Sequence, residues 1–531
     1  GRRLISYTYD KAGQITEIRD PAGVCTRYEY DILGRRSRVY NGDGLEVRYG
    51  YDALNRISRI HYGNGVETAY TYDRDGNISS LETKAGETVL LSFAYQYDGN
   101  GNRTAKAGTQ ANAAPGGITS ENTAGSNALD ISYHYDVRGQ LLEERRNGIS
   151  VSYVYDKAGN RIKKADAQGA TLYQFNRKNQ LVAEEGSSGR KQYTYDKQGG
   201  IVEERNPIGI RHFAYNSRHQ QNRVETENGR VQENRYDAEN LRFELLENGK
   251  RTSFVYHNGE LLHEEGREEG QTSYHLGAGI DALQREQELY YYQRDEQLST
   301  AFITGGNGEI QNGYMYDAFG NMLDSDEQVY NRILYTGQQY DELTGQYYLR
   351  ARYYNPVLGR FMQEDVCQGD GLNLYAYCGN NPVVYWDPSG YTTKCNEENI
   401  ASENNSDNLT SQQKKQIEQL RGGNEVEVNT YDEARKLLDN MPELSPATNE
   451  GRMPNPTGRM ADGFADPPGT YRGDLINIHD PLGPVHPNVQ NANHRDYPHY
   501  NIKLPDGDKA AIIIKGIDSD VQWSGIQYED N

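Results

Sequence analysis

The composition of this 531-residue chain is marked first by its shortages. Cysteine occurs four times, at Cys25, Cys367, Cys378 and Cys395, with no CxxC pair and no Cys/His spacing suited to a metal. So few cysteines in so long a chain predict isolated thiols rather than a disulfide framework. Phenylalanine (9) and tryptophan (2) are scarce, and only 35% of residues are hydrophobic, which argues against a thick oily core. No run of about 18 apolar residues exists, so no membrane span is expected. Cations are outnumbered, 56 Lys and Arg against 77 Asp and Glu. A net charge of −21 argues against a nucleic-acid coat or a membrane-surface binder as the role of the whole chain.

What the chain has instead is tyrosine, 44 of them, and glycine, 56. Tyrosine buries an aromatic body and keeps a wet hydroxyl, which suits thin sheets with one solvated face. Tyr-Asp pairs begin at Tyr9, Tyr30, Tyr51 and Tyr72, then at Tyr97 and Tyr135. The aromatic register resumes at Tyr155, Phe175, Tyr195, Tyr215, Tyr236 and Tyr256, with a further unit at Tyr316. In some units Asn or His replaces the Asp. Each unit alternates with period two, turns at a Gly or Asn, and alternates again, which predicts two strands per repeat of about 20 residues. Residues 101–127, small and polar, read as a surface insertion, and 260–315 read as strand out of register. The first residues already lie inside a repeat, so the chain reads as a piece of something longer, and missing N-terminal signals carry no information.

The segment 340–391 is different: "YDELTGQYYLRARYYNPVLGRFMQED" followed by "DGLNLYAYCGNNPVVYWDPSGY". Together with the "YDxxGN" units it resembles the RHS/YD-repeat family of bacterial polymorphic toxins, insecticidal toxin-complex C components and teneurin shells. The resemblance covers residues 1–391. It implies a mostly β fold, a spiral β-sheet shell closing into a hollow cocoon (1–339), ended by a core signature (340–391) that acts as an autoproteolytic plug. It further implies that the scissile bond is Tyr391–Thr392 and that the following segment, 392–531, is a toxin. The residues suit that role, because aspartyl hydrolysis needs two carboxylates that can share a proton. Asp365, Asp370 and Asp387 are available, with Arg360 to orient a carboxylate or stabilise an oxyanion. Where the family commonly has Pro-Ile-Gly after "ED", this chain has "VCQGDG", so the partner of Asp387 is Asp365 or Asp370. An Asp before Pro also caps turns, and that plainer role is the competing one.

After Tyr391 the repeat vanishes. Residues 392–409 read as a flexible leader. Thr410 with Gln413, and Thr430 with Glu433, are capping boxes that predict two helices. Residues 444–490 are loop-rich, and "HYNIKLPDGDKAAIII" predicts a hairpin turning at Asp506-Gly507, so the whole is a small α+β domain. His479, His486, His494 and His499 crowd into 21 residues. His499, Asn501 and Lys503 share one strand face, a set suited to metal-independent RNA cleavage, with His486, His494, Arg495 and Arg472 as further candidates. Neither a metal nor another cofactor is expected. The alternatives are a metal-dependent nuclease using these histidines with Asp480 and Asp496, an ADP-ribosyltransferase around "TYRGD", or a teneurin-like adhesive shell with an inactive tail. An acidic tail, 13 Lys and Arg against 23 Asp and Glu, counts against nonspecific nucleic-acid binding. The partners implied are a cognate immunity protein, a secretion apparatus or the missing N-terminal region, and RNA of a target cell; the implied location is secreted or on the cell surface, with delivery into target cells.

Overall fold

The computed structural model describes residues 4–111, 126–266, 270–366, 373–391 and 394–395, and further on 416–417, 419–420, 425–428, 437, 475–476, 499–503 and 509–514. The chain divides into two compact units, Gly1–Asn404 and Asn405–Asn531.

The first unit is built on one 30-stranded sheet, from β1 (Ser6–Tyr9) to β30 (Met322–Glu327). Each strand pairs antiparallel with the next, and the sheet does not close into a barrel. The Tyr-Asp pair explains itself in the turns. At Asp156 the carboxylate Oδ1 accepts the Ala158 and Asn160 amides, both at 2.9 Å, and Gly159 adopts φ 77° to close the turn. The tyrosine before the Asp sits at a β-bulge, and its hydroxyl donates to a carbonyl at the start of the preceding repeat's second strand. Tyr51 reaches Arg36 at 2.6 Å, Tyr155 reaches Leu141 at 2.9 Å, Tyr195 reaches Leu181 at 3.1 Å and Tyr215 reaches Ile201 at 2.9 Å. Phenylalanine cannot make that bond, which is why the aromatic is tyrosine in nearly every unit.

One face of the sheet is buried and the other is wet, as the alternation predicts. Tyr153, Tyr173, Tyr193 and Phe213 are buried, while Val154, Gln174, Thr194 and Ala214 between them are exposed. The ribbon also packs over itself. Thr26 Oγ1 meets His275 Nδ1 at 2.7 Å, Asn64 reaches Thr304 at 2.9 Å, and buried Glu296 takes Arg103 at 2.8 Å and Lys106 at 2.9 Å.

Two readings of the sequence change here. Of the 101–127 stretch, residues Arg103–Ala111 form β10 and Ser126–Tyr135 form β11, paired with each other within the sheet, so these parts of the stretch are strand rather than insertion. Alanine and glycine hid the strand, but small residues are needed, since a Cβ at Gly108 would collide with the Ser92 carbonyl of the neighbouring strand. Residues 260–315 carry six regular strands, Glu260–Gly266 through Ile310–Tyr316, in unbroken antiparallel order.

A second, four-stranded sheet follows: β31 (Gln339–Asp341), β32 (Gln346–Leu349), β33 (Arg352–Asn355) and β34 (Arg360–Phe361). It packs against the repeat turns. Tyr375 donates to the Gly199 carbonyl at 2.9 Å, Asn380 to that of Gly159 at 2.8 Å, and fully buried Arg242 bonds Asp341 at 2.9 Å. Strand β35 (Tyr385–Trp386) then pairs with β36 (Lys394–Cys395).

The second unit contains a mixed sheet of β37 (Glu425–Val428), β38 (Leu475–Ile476), β39 (His499–Lys503) and β40 (Lys509–Ile514), in the order β37-β40-β39-β38. β39 and β40 are the two strands of the expected hairpin. Residues 416, 417, 419, 420 and 437 are helical, within the two segments read as helices. Of the segment 392–409, read from the sequence as a flexible leader, Lys394 and Cys395 are strand residues paired with β35; its other residues, Leu504, the turn at Asp506-Gly507 and most of 444–490 lie outside the described residues.

Candidate functional site

The site is assembled around the turn Asp387-Pro388-Ser389-Gly390, at the end of β35. Asp387 is only 1% exposed. Its Oδ1 accepts the Gly390 amide at 2.8 Å, the Ser389 amide at 3.0 Å and the Ser389 hydroxyl at 3.2 Å, so the aspartate does cap its own turn. Its other oxygen, Oδ2, is buried without a hydrogen-bond partner. A buried charged oxygen left this way is costly, and burial accordingly pushes the Asp387 carboxyl up to about 6, against the opposing pull of Arg352 and the turn amides.

Arg352, the first residue of β33, is the hub. One of its nitrogens, Nη2, lies 2.7 Å from Asp365 Oδ2 and 3.6 Å from Asp387 Oδ2. Its Nε donates to the Gly390 carbonyl and its Nη1 to the Leu374 carbonyl at 3.1 Å. The guanidinium stacks on the Phe361 ring, 3.6 Å from its centroid, which fixes its plane. Arg350, on the same hairpin turn, grips the Pro388 carbonyl. Gly390 has φ 75° and no room for a Cβ, which would meet the Leu349 carbonyl and the Arg352 amide. Tyr391 follows, 40% exposed, its amide donating to Ser389 Oγ at 3.2 Å. Two carboxylates, one cation and a tightly held Gly390-Tyr391 segment are therefore in one place.

Asp365 and Asp387 are brought together. Asp370 and Thr392 lie outside the described residues. Arg360 is elsewhere: it donates to the Asn179 carbonyl at 2.6 Å between the rings of Phe175 and Tyr375. The arginine on the carboxylates is Arg352, which the sequence reading missed. Its only signal is a place in "RARYY", and only the β32–β33 hairpin delivers it to residues 13 and 35 positions away. In the second unit His499, Asn501 and Lys503 occupy alternate positions of β39. His479, Asp480, His486, His494, Arg495, Asp496 and the "TYRGD" stretch with Arg472 lie outside the described residues. Among the described residues, no group of three or more His, Cys, Asp or Glu could hold a metal ion, and no helix is long and apolar enough to cross a membrane.

The comparisons agree with this architecture. A family model described as teneurin YD-shell matches residues 2–97 and 115–383. The chain belongs to the teneurin YD-shell family. Part of the chain is similar to the tRNA nuclease WapA of Bacillus subtilis, 38% identical over 157 residues, covering 27% of this chain and 7% of that protein. Another part is similar to the toxin protein Tse5 of Pseudomonas aeruginosa, 46% identical over 59 residues, 11% of this chain and 4% of that one. Such matches span a small fraction of each relative's length. The crystal structure of TcdB2-TccC3-TEV matches 73% of this chain and 21% of its own, with a TM-score of 0.59 and 20% identity, which shows a shared YD-shell fold.

Proposed function

We propose that this chain is the shell and cargo of a polymorphic toxin, in which the YD-shell encapsulates the C-terminal unit and severs it after Tyr391. The released unit, 392–531, is read as a metal-independent ribonuclease delivered into competing bacteria. The observation that carries the proposal is Asp387 Oδ2, buried without a hydrogen bond and 3.6 Å from the Arg352 nitrogen that also holds Asp365. In the cut, Asp365 takes a proton from water, whose oxygen adds to the Tyr391 carbonyl carbon. Asp387, which keeps its proton in mild acid, gives it to the Thr392 nitrogen as the C–N bond breaks. Arg352 holds both carboxylates and, through Gly390, the segment that leads into the bond. Names of partial relatives, a tRNA nuclease and a toxin, support the cargo reading. A cognate immunity protein, a secretion apparatus and target-cell RNA are the partners that follow from it.

A denaturing gel of the purified chain beside Asp387→Ala tests the cut. Two bands, of 391 and 140 residues, from the parent and one from the variant are expected. One band from both would leave the signature a structural plug and favour an adhesive shell with an inactive tail.

A further inference from the structure

The strand register of the second unit brings together residues that lie far apart in the chain. β37 pairs in parallel with β40, and β40 pairs antiparallel with β39. Directly paired residues share a face, so three rows can be read across the sheet. The first row is Ile476, His499, Ile513 and Glu427. The second is Asn501, Ala511 and Glu425, and the third is Lys503 and Lys509. The opposite face carries Leu475, Tyr500, Ile502, Ala510, Ile512, Ile514, Val426 and Val428, all apolar or aromatic. Burial agrees at the one strand where it is described: Val426 is 3% exposed, whereas Glu427 is exposed. By register, the face of the three rows carries a histidine, an amide, two carboxylates and two lysines, together with Ile476, Ala511 and Ile513.

We infer that Glu427 is the general base of the ribonuclease centre proposed above, working opposite His499 as general acid on one phosphodiester of RNA. This rests on the ribonuclease reading and names its missing partner. An RNA phosphodiester is cleaved without metal when one group takes the 2′-hydroxyl proton and another supplies a proton to the leaving oxygen. Glu427 takes the proton, the 2′-oxygen attacks phosphorus, the P–O5′ bond breaks, and His499 protonates the departing O5′. The products are a 2′,3′-cyclic phosphate and a 5′-hydroxyl, with no other reactant. β37 and β39 are two strand spacings apart, roughly 10 Å. In the register Ile513 stands between Glu427 and His499 in the first row, and Ala511 stands between Glu425 and Asn501 in the second. Lys503 and Lys509 put two cations at the end of the same face, where a phosphate is to be held. DNA, lacking the 2′-hydroxyl, is refused.

The test uses the full chain, as isolated and after unfolding in urea and dilution into assay buffer, with an RNA oligonucleotide and its analogue carrying sulfur at the bridging 5′ position. Sulfur leaves without help from an acid. The parent is expected to yield cyclic phosphate in EDTA. Glu427→Gln is expected to slow both substrates by about 100-fold or more, and His499→Ala to slow the oxygen substrate alone. Parent rates from Glu427→Gln, with His499→Ala inactive, overturn the inference and leave the ribonuclease reading standing. Intact RNA from the parent under both conditions overturns that reading and the inference with it. Should Glu427→Gln lower the melting temperature, Glu427→Asp decides: a slower rate at unchanged KM supports the role, and an unchanged rate overturns it.

Discussion

Asp156 and Asp387 do the same local job in different surroundings. Each caps a turn by accepting two backbone amides through Oδ1. In the repeat turn the second oxygen accepts Asn160 Nδ2 at 3.0 Å, on a half-buried carboxylate. In the core turn the second oxygen is buried, has no hydrogen bond and faces a shared guanidinium. The turn cap at Asp387 is therefore compatible with the catalytic role proposed for it. One oxygen builds the turn while the other is left without a hydrogen bond, and the difference lies in what the surrounding fold offers the second oxygen.

The sharpest way to break this comparison is to remove the guanidinium. Arg352→Gln is expected to slow self-cleavage by about 100-fold or more, because both carboxylates lose their common partner. Arg360→Gln, at an arginine just as buried but bonded to Asn179, is expected to leave the cutting rate within about threefold. Time courses on a denaturing gel, with melting curves to confirm folding, separate the two. Equal loss in both variants would place the chemistry somewhere other than on Arg352.

A smaller effect comes from pH. The folded Asp387 carboxyl titrates at about 6, above its ordinary 3.8, because burial disfavours the charge. Its proton is therefore present below about 6 and lost above it. Self-cleavage is expected to fall about tenfold per unit as pH rises past that point, to the extent that this proton limits the rate. The same shift has a stability sign. The folded chain holds this proton more tightly than the unfolded chain, so its contribution is present below the ordinary value and is lost as pH rises through about 6. Relative to Asp387→Asn, which keeps the Oδ1 acceptor, the parent is expected to lose melting temperature between pH 4 and pH 7. A rate that is flat from pH 5 to pH 8 would assign the donated proton to another group.

How much of this was written in the chain depends on distance along it. The repeats were legible because each residue does its work within one repeat or the next: Asp caps its own turn, Gly takes the positive φ, and Tyr reaches one unit back. Strand β10 was hidden because alanine and glycine carry little strand signal, though close contact with its neighbour requires them. Asp365 and Asp387 were legible as carboxylates of a resembling motif. Arg352 was not, since its partnership depends on a hairpin folding back onto another loop. Glu427 was invisible for the same reason: a parallel pairing joins β37 to a strand more than eighty positions later.

The smallest expected effect tests the repeat side of the comparison. Tyr155→Phe removes a hydroxyl that donates to the Leu141 carbonyl, and is expected to cost about 1 kcal/mol of shell stability. Phe175 is the natural counterpart, the one repeat in this stretch without the hydroxyl. By the spacing of its neighbours, Tyr195 to Leu181 and Tyr215 to Ile201, a hydroxyl at 175 would meet the Arg161 carbonyl. A small recess lined by Phe175, Arg161, Leu358 and Arg360 leaves space beside the ring. Phe175→Tyr is therefore expected to raise stability by about 0.5–1 kcal/mol, measured by urea unfolding. If it lowers stability instead, the ring of Phe175 is kept bare for Arg360, whose guanidinium lies 4.8 Å from its centroid. In that case the stacked cation, rather than the hydroxyl, holds this repeat to the core.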